Sequence, residues 1–278
     1  MSPKSRLAAR NGAIYLAVAV SAAFAAFPVY WMLVTGLQRS QDLYVWPPRL
    51  LPNFSQLDVF VRLFTTQPLL LWLKNSAVIA IGVAVLAVGL SIPAAYSLSR
   101  FRFKLRVPLL FTLLLTQMIP STVLIVPLFI TMRETNLLNT HIGVILADTA
   151  VIAPVAVWIL KAFFDTIPGE VSEAAMVDGC SHLGTLWHIT LPLAKPSIAA
   201  ASALCFFEAW NEYAYALTFL TDQAKWVTSV GLASWIGWLT TPVEIMMSGA
   251  IVFAFPSVVL FLVLQRQLVS GLAAGAIK

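Results

Sequence analysis

Glu170-Val-Ser-Glu173-Ala-Ala-Met-Val-Asp178-Gly179-Cys180 is a polar stretch set inside a mostly apolar chain, and it continues to Leu191-Pro192-Leu193-Ala194-Lys195-Pro196. The chain has twelve acidic residues, and four of them, Asp165, Glu170, Glu173 and Asp178, fall within fourteen positions. Long apolar runs flank the stretch on both sides. Of the 278 residues 60% are apolar and only 10% charged, with a mean hydropathy of +0.88. A soluble domain carries about 25% charged residues. This much apolar surface does not fit inside one soluble core, so the class is an all-α polytopic membrane protein. The polar stretch is then a loop outside lipid, compact enough to suggest that something docks there.

Six segments reach the roughly 20 apolar residues that a span needs: about 13–35, 72–98, 108–130, 142–163, 197–220 and 243–265. Backbone polar groups in lipid must pair within their segment, which makes each a helix. They form one transmembrane domain over 1–278. Pro28, Pro93, Pro120, Pro127, Pro154 and Pro256 lie inside them, where kinks are expected. Lys4, Arg6 and Arg10 precede the first run as in a signal peptide, but the run from Ala13 to Val34 is too long for one and lacks a cleavage site, so it reads as a retained span. Cys180 and Cys205 have no metal-type or disulfide-framework spacing. The net charge of +5 reports orientation in a membrane protein rather than nucleic-acid binding.

Three cations lie in the 1–12 tail, and Arg100, Arg102, Lys104 and Arg106 crowd the 99–107 loop without an acid. The cations of the other side are spread over longer loops. The bias places both termini and the 164–196 loop in the cytoplasm. On the far side, Val59 to Phe64 reads as an interfacial amphipathic helix. Trp226, Trp235 and Trp238 read as an interfacial aromatic belt or as a surface for an external partner.

Within 164–196, Pro168-Gly169 starts a helix, with Ser172 or the preceding turn as its cap. Asp178-Gly179 supplies a turn, because glycine accepts positive φ there. A second helix, Leu183 to Ile189, carries Leu183, Leu186 and Trp187 on one apolar face, and Leu191-Pro192 and Lys195-Pro196 end it.

Glu173-Ala174-Ala175, Asp178-Gly179 and then Leu191-Pro192 with Pro196 resemble the signature of permease subunits of bacterial ABC importers. Phe163-Phe164 with Ile167-Pro168, Trp210-Asn211-Glu212-Tyr213, and the tail Val269-Ser-Gly271 to Gly275-Ala are similar to the carbohydrate branch. Nearly the whole chain looks like the shorter subunit of a maltose-transporter-type permease pair. The resemblance implies a type I importer permease fold in the bacterial inner membrane and a coupling loop at 164–196 seated in a cytoplasmic ATPase. Glu173, Ala174, Ala175, Asp178, Gly179, Leu186 and Pro192 would carry that coupling. It implies as partners a homologous second permease, an ATPase dimer that binds the ATP, and an extracytoplasmic solute-binding protein. It also implies a tail, Gly271 to Lys278, reaching the ATPase, and a 222–242 loop facing the binding protein. Cys180 replaces the usual alanine, Leu186 the usual phenylalanine, and Asp148 is unexplained by the resemblance.

Nothing in the chain forms a phosphate-binding P-loop, a nucleophile triad or a His/Cys cluster. The expectation is a transport subunit without its own cofactor or metal. Ionisable groups within spans face a cavity or a partner. Glu208, Asn211, Glu212 and Tyr215 follow i, i+3, i+4, i+7 spacing on one helix face, and Gln117 lies in the third span. They suit either a sugar path or a packing face toward a partner helix. The rival readings are a permease for amino acids, peptides or polyols, a proton-coupled secondary transporter using Glu208 and Glu212, and a non-transporting scaffold.

Overall fold

The structure is a computed structural model; it describes the backbone of 3–237 and 242–276 and the side chains of 11–54, 56–237 and 242–267. In chain order the helices are α1 (Pro3–Gly36), α2 (Asp58–Thr66), α3 (Leu69–Arg100), α4 (Arg106–Thr116), α5 (Ile125–Glu134), α6 (His141–Phe164), α7 (Gly169–Val177), α8 (His182–Thr185), α9 (Leu191–Leu193), α10 (Lys195–Asn211), α11 (Ala214–Phe219), α12 (Thr228–Ala233) and α13 (Val243–Ala276). No strand occurs among the described residues. Asn11–Gly36, Leu69–Arg100, His141–Phe164 and Val243–Gln267 are each long and apolar enough to cross a membrane. Two bent helix pairs raise the number to six if each counts as one broken span.

The 108–130 segment is not one helix. Arg106–Thr116 and Ser121–Glu134 meet at 92°. Pro120 has no N–H to continue the first helix and sits at φ −57°, ψ 130°, which turns the chain out of helical geometry. The other prolines behave differently: Pro28, Pro93, Pro154 and Pro256 stay inside continuous helices. The 197–220 segment is also interrupted, because α10 ends at Asn211 and α11 begins at Ala214.

The chain divides into two compact units. In the unit Met1–Leu69 with Ser234–Ala254, Gly36 lies against α13, where an added Cβ would stand 2.8 Å from Ser248 Oγ. The Ser248 hydroxyl donates to the Gly36 carbonyl at 3.2 Å, and Ser40 donates to the buried Glu244 at 2.6 Å. The amphipathic stretch expected at 59–64 is α2, which buries Val59 and Leu63 in the protein.

The unit Leu70–Ala233 with Phe255–Lys278 holds the site. Small residues let its helices approach closely: Ala84, Ala87 and Ala95 on α3, Ala156 on α6, and Ala201 and Cys205 on α10 share one buried cluster with Leu160 and Phe164. The 221–233 segment is fixed to α3: Trp72 Nε1 donates to the Gln223 carbonyl at 3.1 Å, and Asn75 Nδ2 donates to the carbonyls of Ala224 and Trp226. An added Cβ on Gly231 would stand 2.0 Å from the Trp72 ring, so only glycine fits there. Trp226 is half-buried and anchored within the protein: its ring lies 6.2 Å from that of Trp72 and its N–H donates to the Leu220 carbonyl. Trp238 lies outside the described residues, and so do the side chains of 271–278.

Candidate functional site: a clamped polar loop and a polar cavity

The polar loop begins where α6 ends. Asp165 accepts from Lys161 Nζ at 2.6 Å, one helical turn earlier, and from Ser99 Oγ at 2.7 Å. Arg100 Nη2 donates to the Ile167 carbonyl at 3.0 Å, and the Tyr96 hydroxyl donates to the His182 carbonyl at 3.3 Å. The end of α3 thus holds both ends of α7. Helix α7 ends in a Schellman turn: Gly179 N–H bonds the Met176 carbonyl, Cys180 N–H bonds the Ala175 carbonyl, and Gly179 has φ +90°. The glycine is required by backbone conformation, since an added Cβ would meet nothing within 4 Å.

Ser172 does not cap α7. It lies inside the helix, 8% exposed, and Pro168 is the boundary residue. Ser181 caps α8 instead, accepting from Gly184 N–H at 3.1 Å, a cap the sequence reading did not assign. The second helix is longer than expected. It runs from His182 through one π-helical turn, Leu186–Thr190, to Leu193, and Pro192 sits within its last turn. It meets α10 at 80°.

That geometry divides the residues expected to carry coupling. Glu173, Ala174, Asp178, Gly179 and Pro192 are exposed. Ala175 and Leu186 are buried, at 6% and 3%, so they pack the loop onto the bundle and do not present a docking face. The expected face of Leu183, Leu186 and Trp187 is split: Leu186, which opens the π-helical turn, is buried, while Leu183 and Trp187 are exposed. The most exposed apolar side chains of the loop are Val177 (87%), Leu183 (67%) and Trp187 (64%), followed by Leu193 (50%), and Glu173 and Asp178 are exposed on the same loop. Large apolar side chains left exposed on an otherwise polar loop are the kind of surface that partners cover.

The second feature is a cavity of about 340 Å³ lined by Ser121, Asp148, Glu208, Asn211, Glu212 and Tyr215, among others. It forms where the two interrupted segments meet. Interrupted backbone at membrane depth is tolerated where it is buried in protein or lines an aqueous cavity. The Tyr215 hydroxyl donates to the Ser121 carbonyl at 2.8 Å, joining one break to the other. At Glu212 the chain leaves helical geometry, with ψ 133°, so the predicted single helix face does not exist. The four residues still converge, because the break turns Glu212 back over α11. Its carboxylate accepts from Tyr215 N–H at 2.7 Å and Ala216 N–H at 2.9 Å. Asn211 Nδ2 donates to the Phe207 carbonyl at 2.7 Å. Gln117 is bonded to the Val151 carbonyl at 3.1 Å and does not itself line the cavity.

Asp148 is the residue the sequence left without a role. It is 1% exposed, lines the cavity, and one carboxylate oxygen has no partner among the described residues. A charged residue inside an apolar span was the available signal. Ser121 gave none, because its role depends on the break. His141 bonds the Lys225 carbonyl at 3.0 Å, and His188 bonds the Gly184 carbonyl at 3.0 Å. No group of three metal-ligating side chains occurs among the described residues.

The two features share their supports. Helices α6 and α10 pack together, and each runs from the polar loop to the cavity. From Phe164 to Asp148 along α6 is about 24 Å at 1.5 Å per residue.

A family model described as the binding-protein-dependent transport system inner membrane component matches residues 87–273. The sulfoquinovosyl glycerol transport system permease protein of Agrobacterium fabrum is 35% identical, over 91% of this chain and 88% of that one. The trehalose/maltose transport system permease protein of Thermococcus litoralis is 33% identical, over 96% and 95%. A chain from the crystal structure of a bacterial ABC transporter that imports the acidic polysaccharide alginate matches with a TM-score of 0.79 at 22% identity, over 96% of this chain and 98% of that one. At that identity the likeness concerns the fold.

Proposed function

The chain belongs to the inner membrane components of binding-protein-dependent transport systems, and from that premise we propose that it is the sugar-conducting permease subunit of an ATP-driven importer. It is a transport subunit of the inner membrane with a type I importer permease fold. Sugar as the solute is supported by the relatives, whose names specify sulfoquinovosyl glycerol and trehalose/maltose.

The observation that carries the reading is that α6 and α10 each join the exposed polar loop to the polar cavity. A cytoplasmic ATPase dimer grips Val177, Leu183 and Trp187, with Glu173 and Asp178 setting the orientation. When the ATPases close, the loop moves as a lever. Because Lys161, Ser99 and Arg100 tie it to α6 and α3, the movement passes into those helices. The cavity then opens alternately to the two sides, a rigid-body switching mechanism. A second permease completes the pathway, and an extracytoplasmic binding protein delivers the sugar. Inside the cavity, carboxylate and amide groups bond sugar hydroxyls, and Tyr213, 41% exposed, offers a ring face.

The test is uptake in proteoliposomes that hold the assembled transporter and its binding protein. Uptake is expected to require ATP and to fall with Gly179→Arg. Uptake that follows a proton gradient without an ATPase would establish the secondary-transporter reading instead.

A further inference from the structure

The 101–105 connection and the N-terminal part of α7 enclose a cleft of about 560 Å³, separate from the polar cavity. Arg100, Arg102 and Arg106 all line it. Arg100 uses one nitrogen on the Ile167 carbonyl, but its Nε is buried without a partner. None of the three forms an ion pair among the described residues. Ser172, on the wall formed by α7, is 8% exposed with an uncommitted hydroxyl. Glu173 also lines the cleft and forms no ion pair with the arginines.

Loop cations set orientation in a membrane. Orientation requires only that the charges lie in the loop; it does not require three guanidinium side chains to line one cleft. We propose that this cleft binds a phosphate-bearing anion, its phosphate held between Arg100, Arg102 and Arg106. The guanidinium fork matches phosphate oxygens in pairs, and such charge-assisted bonds are the strong ones. The phosphate has two available sources. One is a phospholipid headgroup: Phe103, Leu105 and Val107 are 41%, 63% and 57% exposed and alternate with the cations, a pattern suited to the surface of an anionic bilayer. The other is a soluble phosphate ester. A bound phosphate joins the end of α3, the 101–105 connection and the start of α4, and the Ser172 hydroxyl on the facing wall gives it a partner on α7. An influence on coupling follows only if the coupling-loop reading holds; binding itself does not depend on it.

The test uses the full-length chain in its assembled transporter. In phosphatidylcholine nanodiscs, radiolabelled inorganic phosphate and glycerol 3-phosphate are titrated. In nanodiscs that also contain phosphatidylglycerol, retained lipid is read by native mass spectrometry. Saturable binding of either soluble probe identifies a soluble ligand, and retention of phosphatidylglycerol alone identifies the lipid; both support the proposal. Arg102→Gln with Arg106→Gln is expected to weaken that binding by about tenfold or more, while ATPase co-purification and melting temperature stay unchanged, since neither side chain forms an ion pair among the described residues. Absence of binding by all three probes, or binding that the double substitution leaves intact, overturns it. An ATPase that co-purifies at the parent level with Leu183→Glu/Trp187→Glu would instead count against the coupling reading and leave the binding result standing.

Discussion

Gly179 turns the chain at φ +90° with open space around its α-carbon, so a substitution there acts through the backbone alone. A β-branched residue in the left-handed region costs about 1–2 kcal/mol, and asparagine tolerates it better. Gly179→Val is expected to uncouple ATP hydrolysis from uptake, while Gly179→Asn keeps most of it. Equal activity of the two variants would show that the turn geometry is not what matters. Glu212 is defined by two backbone N–H groups at 2.7 and 2.9 Å. Glu212→Ala removes both acceptors at the start of α11 and is expected to cost about 1 kcal/mol of stability, read by thermal melting. Glu212→Gln keeps one acceptor oxygen, so it should melt nearer the parent while slowing uptake or changing solute preference. Parent uptake kinetics in Glu212→Gln would remove this residue from the path.

At the scale of elements, the close approach of α12 to α3 rests on Gly231 under the Trp72 ring. Gly231→Ala forces the indole to move and is expected to destabilise by about 1–3 kcal/mol. In a Trp72→Leu background the same change should cost much less, a double-mutant cycle checked by thermal denaturation. This contact was not legible in the sequence, because it joins positions far apart in the chain. What was legible is what composition and local chemistry dictate: the apolar segments, the exposed polar loop, the turn at Asp178-Gly179. The breaks were only half legible. Six prolines announced kinks; Pro28, Pro93, Pro154 and Pro256 lie inside continuous helices, while Pro120 stands at a break with a 92° bend. Proline removes a donor at each position alike, and packing decides whether the helix survives. The helical spacing of Glu208, Asn211, Glu212 and Tyr215 grouped residues that do line one cavity, but on an incorrect geometry, since the chain leaves the helix at Glu212 and the cavity gathers them by another route.

For the whole molecule, the central claim is that an exposed patch on the 165–193 loop docks a partner ATPase, whose motion reaches the cavity through α6 and α10. Leu183 and Trp187 are 67% and 64% exposed, so charged residues there should leave the fold intact. The direct measurement is co-purification of the ATPase subunits with Leu183→Glu/Trp187→Glu, alongside the melting temperature of the permease. The account predicts an unchanged melting temperature and loss of the ATPase from the complex, with uptake lost in parallel. An ATPase that still co-purifies at the parent level with this double variant would contradict it.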